Sequence, residues 1–423
     1  MSDIPETPET VTITKLVHGG QGLADMSDGR KVFVWNSLPG EQVTIRVIKQ
    51  KRSYAEAIAE EVVVASNERI EPIEENYLST SPWQMMTYEA ENKYKKAIVG
   101  ELFEHEKVTL PKYNDVVHEN DPWHYRNKME YSFWGDDDGL HLALHQRGSH
   151  GKQIVEGSAL ANPAIDAAAN AVADQLSAFN TRAGDLKTVI VRCNQKGEAV
   201  VAIYTKLKRF KKLALVPEFK GLRVYHSNPR SPASVPTELL YELGSATLHD
   251  TLQGQVFMYD VDSFFQVCPP IFEKVLTRIK EHCSEPKVID MYAGVGSIGL
   301  SIASKAVDLI ELDPATAAMA RINAEVSELQ TEVIEASSEK SLEYITADQP
   351  IIFDPPRVGL HDKVVQKVLE VLPPKLVYLS CNPATQARDL AKLQEKYTVT
   401  FFEIYNFFPR TPHIETLAVL TLS

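Results

Sequence analysis

The sequence predicts an α/β protein in three parts: an OB-like β-barrel over residues 11–67, an α+β region over 68–250, and a mostly parallel sheet flanked by helices from 251 onward. Three observations carry this reading. Beyond residue 251, strand-like and helix-like runs alternate. Residues 11–67 hold short alternating runs bounded by turn signals. Three strand ends in the C-terminal part carry a glycine loop, a carboxylate and a thiol, at the edge where open α/β sheets bind ligands.

Residues 1–10 (MSDIPETPET) are polar and acidic, which fits a flexible tail and neither a signal nor a transit peptide. The runs VTITKLV, KVFVW, EQVTIRVI and AEAIAEEVVVAS follow, separated by His18-Gly19-Gly20-Gln21-Gly22 and Pro39-Gly40. Short, regularly spaced strands without helical periodicity predict a small barrel. In the middle region MTYEAENKYKKAIVGELFE and PAIDAAANAVADQLSAF (163–179) have helical spacing. TVIVRC, AVVAIYT, LRVYHS and the stretch near Gln255-Val256-Phe257 are strand-like.

Further on, KVID leads through the glycine loop to a helix at SIGLSIAS, and DLIEL to a helix at PATAAMARINAEV. EVIEA, IIFD, a helix at KVVQKVLEVL, LVYLS and a helix at TQARDLAKLQEKY come next. Repeated βαβ units predict a mainly parallel sheet. Two strands in succession, TVTFFEIY and TLAVLTL, predict an antiparallel pair at or near one edge.

Composition narrows the function. No apolar run is long enough to span a bilayer. The four cysteines, Cys193, Cys268, Cys283 and Cys381, form no chelating pair and no disulfide scaffold, which points to a reducing cytoplasm. A net charge of -13 argues weakly against nucleic-acid binding, but net charge says nothing of its distribution. Basic stretches stand at Arg46, Lys49, Lys51, Arg52 and at Lys206, Lys208, Arg209, Lys211, Lys212, Lys220, Arg223.

Gly294-x-Gly296-x-x-Gly299, between strand and helix, lets backbone approach a ligand closely. Asp290 ends the strand before it, and Glu311 ends the next strand, where an acid can grip ribose hydroxyls. This favours a nucleoside ligand over a tight turn that binds nothing, and the loop does not choose between a dinucleotide and S-adenosylmethionine. Cys381 stands between Ser380 and Asn382-Pro383 before a helix beginning near Ala384, whose N-terminus would favour a thiolate. Asp354-Pro355-Pro356 resembles the acidic Pro-Pro loop of methyltransferases that flip a base from its stack. His413 and Glu415, two apart, face one side of an extended run, and Glu415 is placed for proton transfer.

Together, Phe264-Phe265-Gln266, DMYAGVGSIGL (290–300), Glu311 with Asn323-Ala324, FDPPRVGL (353–360), YLSCNPATQARDL (378–390) and FFPRTPHIE (407–415) resemble, in order and spacing, the S-adenosylmethionine-dependent RNA uracil-5-methyltransferases. Residues 11–67 look like the TRAM barrel of that family, and Tyr125-Arg126-Asn127-Lys128 like its central RNA-contact segment. The resemblance covers nearly the whole chain and implies a Rossmann-like methyltransferase domain over 251–423. It implies Cys381 as nucleophile and Glu415 as base, with Gln266, Tyr292, Glu311 and Asp354 around cofactor and target base. Gly294 and Gly296 join them on the cofactor side.

The chemistry fits these residue types. Carbon 5 of uracil is a weak nucleophile until a thiolate adds at carbon 6, and a base must then remove the carbon 5 proton. The resemblance implies a cytoplasmic monomer acting on RNA, 23S rRNA being preferred because of the barrel and tRNA being possible. No metal is expected. The cysteines that hold an iron–sulfur cluster in many relatives are replaced by Pro72, Leu78, Ser81 and Ser158, so no cluster is predicted, and packing must hold Tyr77 to Trp83. Cys268 and Asn406 also depart from the family pattern, at positions expected to tune substrate fit. Rival readings are methylation of cytosine carbon 5 or of an exocyclic amine, a catalytically silent RNA-binding module, and a nicotinamide oxidoreductase.

Overall fold

The computed structural model describes residues 9–149, 151–231 and 234–423. β1 (Glu9–Thr12), β2 (Lys15–Leu16), β3 (Gly22–Asp25), β4 (Lys31–Trp35), β5 (Gln42–Gln50) and β6 (Tyr54–Val64) form one sheet in the order β1-β5-β6-β4-β3-β2. Alternation puts Val11, Ala24, Val32, Val34, Val43, Ile45, Ala55 and Ala57 inside, so the sheet curls around one apolar interior. Glu9 and Thr10, expected in the flexible tail, already belong to β1, and residues 1–8 lie outside the described residues. Arg46 and Lys49 pair with Glu60 and Glu56 across the β5–β6 ladder, so much of the first basic stretch is neutralised locally.

The connection to the middle of the chain runs through α1 (Tyr77–Thr80) and α2 (Tyr88–His105). Thr87 caps α2, its hydroxyl accepting from the Ala90 amide at 3.2 Å. Although α2 falls in the predicted central region, it packs on the C-terminal part: Ile98, Val99 and Phe103 share a core with Phe402 and Leu390, and Phe103 meets Phe402 edge-to-face at 4.9 Å.

β7 (Lys128–Asp136), β8 (Gly139–His145) and β9 (Lys152–Ile154) precede α3 (Pro163–Ala178). β10 (Leu186–Cys193), β11 (Ala199–Thr205), β12 (Gly221–His226) and β13 (Glu238–Gly244) complete a seven-stranded sheet, β13-β12-β11-β10-β7-β8-β9. Asn162 caps α3 and Pro163 opens it; Ile165, Ala168, Ala169, Val172 and Leu176 then lie on one face, over Tyr131, Val189 and Val191. In the second basic stretch Lys220 pairs with Glu198, and Arg223 with Glu242, Asp260 and Asp262.

The hairpin β14 (Thr247–Leu252) and β15 (Gln255–Asp260) leads to α4 (Pro269–His282), a helix the sequence reading did not anticipate. β16 (Lys287–Met291), α5 (Gly299–Ile302), β17 (Ala306–Glu311), α6 (Pro314–Glu325), β18 (Gln330–Glu335), β19 (Ile351–Phe353), α7 (Asp362–Val371), β20 (Lys375–Ser380), α8 (Pro383–Leu393), β21 (Tyr397–Tyr405) and β22 (Glu415–Leu422) follow. The sheet order is β18-β17-β16-β19-β20-β22-β21, parallel except that β22 runs antiparallel to both neighbours. The predicted antiparallel pair at one edge is present. The helix expected through SIGLSIAS shrinks to four residues, because the chain from Gly294 to Ile298 is spent on the turn. β17 and β19 leave β16 on opposite sides, which opens a crevice at the strands' carboxyl ends.

Candidate active site

The crevice collects the predicted residues by strand geometry. Tyr292 follows β16, Glu311 ends β17, Asp354 follows β19 and Cys381 follows β20. β22 runs the other way, so Glu415, its first residue, begins at the same edge. These five, with Gln266 and Gly294, line one cavity of about 1180 Å³. Gly296, predicted beside the cofactor, is not on its wall. A Cβ there would meet Leu300 and Leu309 at 2.9 Å, and its φ of +85° serves the turn. Gly299 is likewise a packing position, where a Cβ would meet Val307, Asp290 and Leu309 at 2.8–2.9 Å. Gly299→Ala is expected to cost about 1–3 kcal/mol by overpacking, read as a lowered midpoint in urea unfolding; an unchanged midpoint would show that the loop can yield.

Gly294 differs from both. It has φ +57° and open space where a side chain would start, so a ligand can approach its backbone. Glu311 is held rigidly: one carboxylate oxygen accepts from the Gly294 amide at 2.9 Å and the other from the Asp313 amide at 2.8 Å. Each oxygen keeps a lone pair for a diol. Tyr292, itself at φ +69°, accepts from the Ser338 hydroxyl at 2.7 Å. Asp290 is fully buried behind the loop and accepts from the Gly299 amide at 2.8 Å. Burial, Asp354 and Glu311 push its carboxyl up to about 8 against that bond. Its part is to hold the loop. Leu312, Val358 and Phe264 leave apolar surface exposed at the rim.

At the other end three acidic groups crowd together. Cys381 is half-buried; burial, Glu415 and Asp354 push its thiol up to about 12, with Arg357 opposing. The α8 N-terminus stands beside the thiol, with Asn382 as cap, and burial with the two neighbouring carboxyls works in the opposite direction. Glu415 is buried, and one of its oxygens has no hydrogen-bond partner among the described residues. Burial and Asp354 push it well above the usual carboxylate range. Asp354, enclosed by the same walls, is pushed up to about 7 while the Gln266 amide donates to it at 3.3 Å. Burial and Arg357 push His413 down to about 4, so it is neutral at pH 7.

One consequence is measurable. With the thiol at about 12, alkylation of Cys381 by iodoacetamide in the free protein is expected to run roughly 10³-fold slower than for a free cysteine at pH 7 and to rise about tenfold per pH unit up to pH 9. A plateau below pH 8 would overturn this.

Other expectations fare unevenly. Of Tyr125-Arg126-Asn127-Lys128, Arg126 lines the cavity. The Asn127 amide donates to the Gln266 carbonyl at 2.9 Å, the Tyr125 hydroxyl to the Pro409 carbonyl at 3.1 Å, and burial beside Arg192 pushes Lys128 down to about 8. Cys268 is buried in the core and Asn406, the first residue of the Glu415 loop, is buried against α2, and neither lines the cavity. Tyr77 to Trp83 is held by hydrogen bonds as well as packing. Gln84 donates to Ser81 at 2.7 Å and to Glu74 at 2.6 Å, and Glu74 accepts from the Ala159 amide at 2.7 Å. Arg147 bonds the Leu78 carbonyl and covers the Trp35 ring at 3.9 Å. Among the described residues no group of three or more His, Cys, Asp or Glu could hold a metal ion, and no helix is long and apolar enough to cross a membrane.

Residues 242–422 match the family described as tRNA (Uracil-5-)-methyltransferase, and residues 8–59 match the TRAM domain. An uncharacterized RNA methyltransferase of Enterococcus faecalis is 30% identical over 97% of this chain and 96% of its own length. One from Thermotoga maritima is 27% identical, over 97% of this chain and 98% of its own. Among solved structures, the Pyrococcus abyssi tRNA (uracil-54, C5)-methyltransferase, in complex with S-adenosyl-L-homocysteine, superposes with a TM-score of 0.76 at 21% identity. It covers 97% of this chain and 99% of its own, which shows a shared fold. With its strand-end thiol and carboxylates gathered at one crevice, the chain belongs to the tRNA (uracil-5-)-methyltransferase family.

Proposed function

We propose that the protein methylates carbon 5 of a uridine in RNA through a covalent adduct between Cys381 and carbon 6, with Glu415 as the base. The observation that carries this is the meeting of Cys381, Glu415 and Asp354 in one cavity with the glycine loop and Glu311. S-adenosylmethionine, when bound, supplies a methyl group made electrophilic by its sulfonium. The open Gly294 backbone and the doubly held Glu311 carboxylate suit its amino-acid and ribose parts.

The residues act in sequence. The Cys381 sulfur, once deprotonated, bonds to carbon 6, and the ring's electrons move to the carbon 4 oxygen. Carbon 5 then bonds to the methyl carbon, whose bond to sulfur breaks. Ionised Glu415 takes the carbon 5 proton, the ring double bond reforms, and the cysteine sulfur leaves with its electron pair. In the free protein burial favours the protonated forms of both Cys381 and Glu415. Entry of a cation into this acidic cavity favours their ionised forms. Arg126 and exposed Phe264 stand where an extruded nucleotide would enter.

From the barrel, the target expected is 23S rRNA. A second reading, tRNA, is favoured by one observation: the matched archaeal structure is named for tRNA, and it is covered over nearly its whole length, barrel region included. The barrel therefore does not discriminate. Mass spectrometry of nucleosides from rRNA and tRNA of a deletion strain tests the proposal. Loss of 5-methyluridine from one position is expected, and full retention in both pools would refute it.

A further inference from the structure

The loop that presents Glu415 is gripped from behind by a charged network inside the protein. β21 ends at Tyr405, which faces Glu415 across the ladder, and residues 406–414 make the turn between them. Lys95 of α2 is fully buried and pairs with Glu91, one helical turn earlier, at 2.9 Å. Its ammonium donates to the Asn406 side-chain oxygen at 2.6 Å and to the Phe408 carbonyl at 3.1 Å. The Asn406 amide donates back to Glu91 at 2.8 Å. Both Glu91 oxygens accept from the Arg410 backbone amide at 3.0 Å, and Arg410 sits in the left-handed region at φ +63°. The Arg410 guanidinium donates to the Met86 carbonyl at 2.8 Å and lies over Tyr88 and Trp123. From the barrel side, the Trp83 amide donates to the Arg410 carbonyl at 3.1 Å and its indole to the Gly20 carbonyl at 3.0 Å.

Such a network is a poor device for stability alone. A buried ion pair is often no better than an apolar pair of the same volume, whereas it does fix geometry, since each donor and acceptor has one satisfied arrangement. Here most of the bonds land on backbone or side chain of residues 406–410, and neither Lys95 nor Glu91 lines the cavity. Glu415 itself lacks a partner for one oxygen, so nothing within the cavity holds that oxygen in place.

We propose that Lys95 and Glu91 are positioning residues for Glu415, acting on the removal of the carbon 5 proton and not on formation of the adduct. The inference rests on the reading in which Glu415 is the base. Cys381 lies between β20 and α8 and precedes Asn382, which caps α8 and donates from its side-chain amide to the Arg357 carbonyl at 2.8 Å, so the thiol is anchored by elements other than the loop.

The test uses the full chain and RNA from a deletion strain labelled with tritium at carbon 5 of uridine. Variants are Lys95→Met, the double change Glu91→Leu with Lys95→Met, which leaves no lone buried charge, and Gly20→Ala. The last would put a Cβ 2.4 Å from Pro412 and 3.2 Å from the Trp83 indole nitrogen, and so push the same loop from the barrel side with Lys95 and Glu91 unchanged. Expected in each is a first-turnover burst of methyl transfer within about twofold of the parent, tritium release slowed about tenfold or more, and a matching rise in methylated RNA that stays protein-linked in SDS. A deuterium isotope effect at carbon 5 on kcat should grow. Burst and release falling in parallel, or both staying unchanged in a folded double variant, would overturn the inference. If the parent enzyme itself formed no protein-linked RNA, the underlying chemistry would fail and the inference with it.

Discussion

Replacing Cys381 by alanine abolishes protein-linked RNA and lowers methyl transfer by on the order of 10⁴-fold or more, the scale on which loss of a covalent nucleophile acts in other enzymes. The reason is electronic. Without a bond at carbon 6, carbon 5 of uracil lacks the electron density to attack a methyl group, and no second thiol lies on the wall: His413 lies against Arg357 at 3.5 Å, His361 accepts from the Lys363 amide at the start of α7, and Lys392 pairs with Asp362 at 2.7 Å. The change removes a half-buried side chain at the cavity edge, so folding should survive and the unfolding midpoint should move little. Single-turnover assays with labelled methyl donor, together with denaturing gels of RNA containing 5-fluorouridine, read both effects. A variant that still turned over at the parental rate would exclude sulfur from the reaction.

Glu415→Gln is expected to separate the two halves of the reaction. Gln is nearly isosteric and can occupy the site between β21 and β22, so attack by Cys381 and methyl transfer proceed. Loss of the base slows proton removal by about 10²–10⁴-fold, and the methylated adduct accumulates. The result to look for is protein-linked, methylated RNA with ordinary uridine, where the parent shows little. The sign of the pH response follows from the raised carboxyl. Glu415 must be ionised to accept the proton, and burial with Asp354 beside it keeps it protonated well above the usual range. The proton-removal step of the parent, read as tritium release from the formed adduct, should therefore speed up as pH rises above the usual carboxylate range, and this dependence should be lost in the Gln variant, while adduct formation keeps the rise with pH set by the Cys381 thiol. A tritium-release dependence identical in both would assign the titration to another group.

Much of the C-terminal sheet was legible because parallel strands buried on both faces write themselves as unbroken apolar runs, such as Ile351-Ile352-Phe353 and Leu376-Val377-Tyr378-Leu379. The site residues were legible for the same reason: strand ends in an α/β sheet converge, so a thiol and a carboxylate far apart in sequence share an edge. What the reading missed was written in subtler patterns. The hairpin of β7 and β8 alternates Met129, Tyr131, Phe133 against Leu140, Leu142, Leu144 around Asp137-Asp138-Gly139, a turn signal that passed unused. α4 places Ile271, Phe272, Val275, Leu276 and Ile279 on one face behind two prolines, a helical spacing visible in retrospect. The placement of Gly296 and the direction of the Cys381 shift could not be read from residue types. Both depend on neighbours from other elements, Leu309 for the one and Glu415 with Asp354 for the other.

The bond between Lys95 and Asn406 joins positions 311 residues apart. At a ribosome adding roughly 5–20 residues per second, about 15–60 s separate the emergence of these two partners. Throughout that interval α2 has a lysine where its apolar face needs a lid, and the strands that cover it do not yet exist. Chaperone dependence and sensitivity to translation speed should therefore concentrate on this helix, and activity should arise in a single late step when β21 and β22 close over it.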